Sequence, residues 1–287
     1  MHDLIPLGPL LPGALTTAEI DATMGYAEAE TALATRAAYA SDWRDFAAWC
    51  ALRGATARPA HVGIVAAYLS SLADLGRKAS TIGRRAAAIA CRHKMAGHEP
   101  PTAQEAVRAV LRGIRRIIGS ARRGKAPATA DVMKQVLALC PDTLAGKRDR
   151  ALLALGFAGA FRRSELVALQ VEDLVETPDG LRVTIRRSKT DQEGQGAEVP
   201  ILRGTRLRPV AAVQDWLAAA GITKGPVFRE VKKGQRVQAV ALNAPSVAAI
   251  VQRYAALAGL DAAGFAGHSL RSGFLTSGAE AGASIFK

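Results

Sequence analysis

Apolar side chains recur every three or four positions along almost the whole chain, and only residues 173–202 shorten that spacing to two. This commits the sequence to a mainly α fold with one small antiparallel sheet. Tyr39, Trp43, Phe46 and Cys50 form one helical stripe, which Gly54 ends. Pro59 stands at the start of a second helix, where Val62, Val65, Leu69 and Leu72 repeat the pattern as far as Gly76. Ser80 opens a third helix reaching Met95, and residues 97–101 break it. A fourth is expected from Thr102, because Thr102 and Glu105 have the spacing of a capping box ahead of Val107, Val110, Leu111, Ile114, Ile117 and Ile118. Its opposite side carries Arg108, Arg112 and Arg115 at helical intervals, so the helix is apolar on one face and basic on the other.

The stretch RRGKAPAT, residues 122–129, combines charge, glycine and proline between two strongly periodic regions and marks the best domain boundary. We therefore expect an N-terminal arm at 1–30, a helical domain at 31–121, a linker at 122–130 and a second domain at 131–287. In the second domain Asp131 caps a helix running to Leu139, residues 144–161 form a helix rich in Ala and Leu, uncharged from 151 on and hence buried, and 164–169 continue helically. Leu181, Val183 and Ile185 alternate, as do Val199 and Ile201 beyond a Gly/Asp/Gln-rich stretch at 191–196. Helical spacing returns at 210–220, 246–258 and 269–281.

With 49% hydrophobic and 22% charged residues, the chain has too much apolar matter for a disordered polypeptide. Its longest uncharged runs, residues 4–18 and 237–252, contain proline and are too short to span a bilayer, so no membrane partner is expected. The N-terminus lacks the basic lead of a secretory signal, which makes the cytoplasm the expected compartment. Cys50, Cys91 and Cys140 read as buried thiols, and neither they nor the histidines have metal-ligand spacing, so no metal is expected. Net charge is +13, and residues 76–125 hold 13 Lys and Arg against only Glu99 and Glu105. A polyanion would relieve that self-repulsion, which points to nucleic acid; a solvated basic surface is the other reading.

Charge in costly places supplies the candidate chemistry. Arg162 and Arg163 directly follow an 11-residue uncharged run, and an arginine paired with Glu165 three positions on would account for part of that. His268 and Arg271, three apart on one helix face, can bind a phosphate while the imidazole moves a proton. A surface histidine and a salt-bridging arginine have the same spacing. Lys189 falls in the turn of the sheet, where it is either a functional cation or a solvated hairpin lysine.

Taken in this order, RRSEL (162–166), SKT (188–190) and HSLRSG (268–273) resemble the tyrosine recombinase, or phage integrase, family, and the likeness runs over nearly the whole chain. Upstream, Ser80, Thr81, Ile82, Arg84, Ala88, Ile89 and His93 look like the DNA-facing helix of that family's core-binding domain. The resemblance implies an N-terminal helical core-binding (SAM-like) domain and a mostly α catalytic domain with a small antiparallel β-sheet. Joined to the charge map, it makes Thr81, Arg84, Arg85, Arg92, Arg108, Arg112 and Arg115 the candidate DNA contacts.

Carried over to this sequence, the resemblance implies that Arg162 and Arg271 bind the non-bridging oxygens of a scissile phosphate. His268 would assist proton transfer, Lys189 would protonate the leaving 5′ oxygen, and Glu165 would orient the arginine. Two forked guanidinium groups can neutralise a phosphodiester under attack, and no metal or cofactor is implied. The implied partner is double-stranded DNA, with a full-length recombinase assembling as a tetramer on it and this chain monomeric without it. One departure stands out. The family's nucleophilic tyrosine follows the H-x-x-R motif, whereas Tyr26, Tyr39, Tyr68 and Tyr254 all precede His268 and the sequence ends 16 residues after Arg271. The catalytic domain is thus expected to lack its terminal helices, and the chain to bind DNA without cleaving it. The rival readings are a non-enzymatic DNA-binding regulator derived from an integrase and, more distantly, a type IB topoisomerase-like enzyme.

Overall fold

The computed structural model describes residues 32–119, 124–187, 191 and 196–283, together with Thr16, Ala18, Glu19, Ala22 and Tyr26. The chain divides into two compact units, residues 1–122 and 123–287.

The first unit consists of α1 (Leu33–Ala51), α2 (Val62–Asp74), α3 (Ala79–Met95) and α4 (Glu105–Ile118). α1 packs on α3 and α2 on α4, because each presents an apolar stripe: Phe46 and Cys50, Val65 and Leu69, Ile82 and Ile89, Val107 and Ile114 meet in one core. An aromatic chain ties the elements together, with Phe46 and Tyr68 ring centroids 5.0 Å apart and Trp49 and Tyr68 5.4 Å apart. The expected capping box does not form. Pro101–Ala103 makes a separate 3₁₀ turn, Gln104 takes an extended conformation, and the helix begins at Glu105, whose carboxylate accepts a bond from Arg112 instead.

His93, expected on a DNA-facing helix, lies in this core with 1% exposure. Its Nε2 accepts the Ala60 N–H at 2.9 Å, so Nδ1 carries the proton and donates to the Ile89 carbonyl at 2.8 Å. Burial, with lesser contributions from His98 and Arg58, holds its pKa below the ordinary 6.5. The unfolded chain then takes up a proton before the folded one does, so stability is fully present above pH 6.5 and declines as pH falls toward the folded pKa. Denaturant titrations followed through Trp43 and Trp49 are expected to show this decline. His93→Gln is expected to remove it.

The second unit is built around α6 (Leu144–Ala158), whose Ala151 to Leu155 are all buried. Around it stand α5 (Ala130–Ala138), α7 (Arg163–Ala168), α8 (Pro209–Ala220), α9 (Ala244–Leu257) and α10 (His268–Glu280). The antiparallel sheet β1 (Leu174–Thr177), β2 (Gly180–Ile185) and β3 (Ala197–Leu202) turns Leu181, Val183 and Ile185 inward, as their alternation foretold. A second hairpin, β4 (Arg229–Lys232) with β5 (Arg236–Ala241), was not expected from the sequence.

The linker expected at 122–130 is narrower than that on its C-terminal side. Ala126 donates to the Gly264 carbonyl at 2.7 Å, Ala128 to that of Ser269 at 2.9 Å, and the N–H of Ala130, which opens α5, to Ser277 Oγ at 2.8 Å. A Cβ at Gly273 would lie 1.9 Å from the Ala128 carbonyl oxygen, so the glycine of HSLRSG lets this segment lie flat on α10. Cys50 and Cys140 are buried thiols as expected, and Cys91 is half-buried. Among the described residues no helix is long and apolar enough to cross a membrane, and no His/Cys/Asp/Glu group could hold a metal ion.

Candidate functional site

The uncharged run of α6 ends in a turn that converts a core helix into a charged surface. Ala160 takes a φ of +48°, and Phe161 then folds its ring back over Gly159, where any side chain would collide with it. With Phe161 turned inward, the next residue must face outward. Arg162 occupies that place as the N-cap of α7, its side chain 28% exposed.

One carboxylate fixes it. Glu165, itself buried, accepts the Arg162 backbone N–H on Oε2 at 2.9 Å and the Arg162 Nη1 on Oε1 at 2.7 Å. The pair is the local ion pair that the spacing allowed, and it holds the guanidinium in one orientation.

The HSLRSG segment reaches the same turn from α10. Arg271 Nη1 donates to the Ala160 carbonyl at 2.8 Å, two residues before Arg162. Below it Leu270 and Leu166 both press on Gly156, where a Cβ would lie 2.9 and 3.0 Å from their methyl groups. Small size at 156 is what lets α7 and α10 converge on α6. Ser269 is fully buried and accepts the Ala266 N–H on its Oγ at 3.0 Å, which anchors the first turn of α10 and leaves His268 exposed at its N-terminus. Arg162, Glu165 and Arg271 thus meet at one turn, with His268 one helical turn before Arg271 on α10, while Lys189 lies outside the described residues, in the segment between β2 and β3. Glu165 neutralises Arg162, and Arg271 rests on a neutral carbonyl, so the group as a whole is cationic and suited to an anion such as a phosphodiester.

In the first unit the expected DNA contacts divide. Arg108 and Arg115 stand exposed on α4 opposite the buried Val107 and Ile114. Arg112 is exposed but paired with Glu105. Thr81 and Arg92 are half-buried on α3. Arg84 binds the buried Asp42 with Nε at 2.9 Å and Nη2 at 3.0 Å, yet its side chain remains 51% exposed. Arg85 departs from the expectation altogether. Only 15% exposed, it is committed to Asp45 and to the Tyr68 hydroxyl. The acidic partners Asp42 and Asp45, three apart on α1, were the unread signal for this network.

Known proteins resemble this chain in both sequence and fold. The family model described as the phage integrase family matches residues 128–286. An integrase/recombinase xerD homolog of Selenomonas ruminantium is 43% identical over 252 residues, covering 86% of this chain and 74% of that protein. The recombinase cre of Escherichia phage P1 is 28% identical over 200 residues, 66% of this chain and 57% of that protein. The tyrosine recombinase XerD of Xanthomonas axonopodis pv. citri is 36% identical over 140 residues, and the match spans 43% of its length. In fold, the Tn1549 transposon integrase, solved in complex with transposon right end DNA, superposes with a TM-score of 0.64 at 14% identity, covering 94% of this chain and 88% of that one.

Proposed function

The chain belongs to the phage integrase family, the tyrosine recombinases, and on that premise we propose that it binds double-stranded DNA as the clamp of a site-specific recombinase. Arg162 and Arg271 hold the scissile phosphate, Glu165 orients Arg162, and His268 moves a proton at the same phosphate. Lys189 protonates the leaving 5′ oxygen, a role that rests on its place in the SKT segment. The observation that carries this reading is the attachment of Arg162 and Arg271 to one turn, each with donors unspent.

The burial of Tyr68 and Tyr254 in cores supports a reading in which these 287 residues bind DNA without cleaving it. In the family's reaction the attacking tyrosine forms a 3′-phosphotyrosyl bond and four chains assemble on DNA; without DNA this chain is expected to be monomeric, in the cytoplasm.

Salt tests the binding claim. Affinity for a duplex is expected to fall with log[salt] at about −0.9 per neutralised phosphate. Replacing Arg108 and Arg115 with Gln should flatten that slope by about 0.9 each. Arg85→Gln should leave the slope alone and lower stability, since Arg85 is spent within the fold. A wild-type slope near zero would refute the proposal.

A further inference from the structure

We propose that Arg163, the second arginine of RRSEL, is a further DNA-phosphate contact that flanks the Arg162–Arg271 clamp; this rests on the DNA-binding reading above. Arg163 opens α7, is exposed, and has no hydrogen bond or ion pair among the described residues. Its stem has a defined course. A Cβ built on Gly267 would lie 3.2 Å from Arg163 Cβ and 3.6 Å from its Cδ, so the aliphatic part runs along the bare backbone just ahead of His268. The charged head is thereby carried beside the N-terminus of α10, on which His268 is exposed.

That placement is unfavourable for a cation left to itself. The α10 N-terminus presents the positive end of its dipole, and Arg271, bonded to a neutral carbonyl, adds an uncompensated charge on the same side. Among the described residues the carboxylate of the site, Glu165, is taken by Arg162. An anion resolves this accumulation, and a DNA strand supplies several along one line. Arg163 would recognise the backbone and not a base, so its contribution is independent of sequence.

The test is a salt titration of the full chain on a random-sequence duplex. Arg163→Gln is expected to weaken binding about tenfold or more and to lower the salt slope by about 0.9. Arg163→Lys is expected to keep the slope and lose part of the affinity, since it retains the charge without the fork. Lys224→Gln, an exposed cation elsewhere in the second unit, is expected to change neither. An unchanged slope in Arg163→Gln, or an equal drop in Lys224→Gln, would overturn the assignment of Arg163 while leaving the DNA-binding reading intact. A wild-type chain that does not bind would overturn both.

Discussion

Asp149→Ala is expected to destabilise the second unit by about 3–5 kcal/mol, the cost of stripping a buried ion pair of one partner. Asp149 has no exposed surface and spends both oxygens. Oδ1 accepts from Arg148 Nε at 2.9 Å and Nη2 at 2.7 Å, and Oδ2 accepts from the Tyr254 hydroxyl at 3.1 Å and from Arg253. These bonds join α6 to α9, and the Arg253 guanidinium sits 4.7 Å over the Tyr254 ring. Without the carboxylate, Arg148 remains 9% exposed and uncompensated. Against a total stability of about 5–15 kcal/mol for a domain, the loss leaves little margin. Denaturant titration followed through Trp216 measures it. Asp149→Asn keeps the volume and one acceptor and should cost less than the alanine; an alanine variant within about 1 kcal/mol of wild type would contradict this account of the network.

Helical periodicity was legible wherever one face was buried and the other wet, as in α4, where Val107 and Ile114 are inside and Arg108 and Arg115 outside. β2 and β3 were legible for the same reason, because Leu181, Val183, Ile185 and Ile201 face a core, whereas β1 carries no alternation. β4 and β5 were not. They are short, and their inner faces are only half-buried, with Val231 and Val237 resting against the core, so the apolar alternation is faint and only the Gly234 turn hinted at a hairpin. The site motifs announced which residues matter but not how they meet: the carbonyl of Ala160 that receives Arg271 has no sequence signature. Arg85 was misread because its partners, Asp45 and Tyr68, lie far back in sequence, and pairing over such distances is set by packing. His93 could have been found. It continues the stripe of Ile82, Ala86 and Ile89 at steps of four, three and four.

Binding and cleavage are expected to separate in a polypeptide of these 287 residues. A tyrosine that attacks phosphorus needs an accessible, activated phenol. Burial first, and then Asp149, pushes the Tyr254 phenol well above the ordinary range, and its hydroxyl is held by Asp149. Tyr68 is raised in the same way by burial and Asp42, and its hydroxyl donates to Asp45. Tyr26 and Tyr39, like the other two, precede the H-x-x-R motif that the family's attacking tyrosine follows. The forked donors of Arg162 and Arg271 can be worth 10²–10³ in rate at a developing anion, yet they accelerate nothing without an attacking group. They still bind. Losing either should weaken DNA affinity by about 1–3 kcal/mol, and losing both by less than the sum, if the two hold one phosphate as proposed. The direct measurement uses a nicked suicide duplex, with bound complex and covalent adduct read from the same samples of wild type, Arg162→Ala, Arg271→Ala and the double variant. The account predicts a bound complex weakened by each substitution and no adduct at any pH, with cleavage appearing only when a tyrosine-bearing C-terminal segment is supplied in trans and only if both arginines are present. A phosphotyrosyl peptide containing Tyr26, Tyr39, Tyr68 or Tyr254 would contradict it, as would a double variant that binds as tightly as wild type.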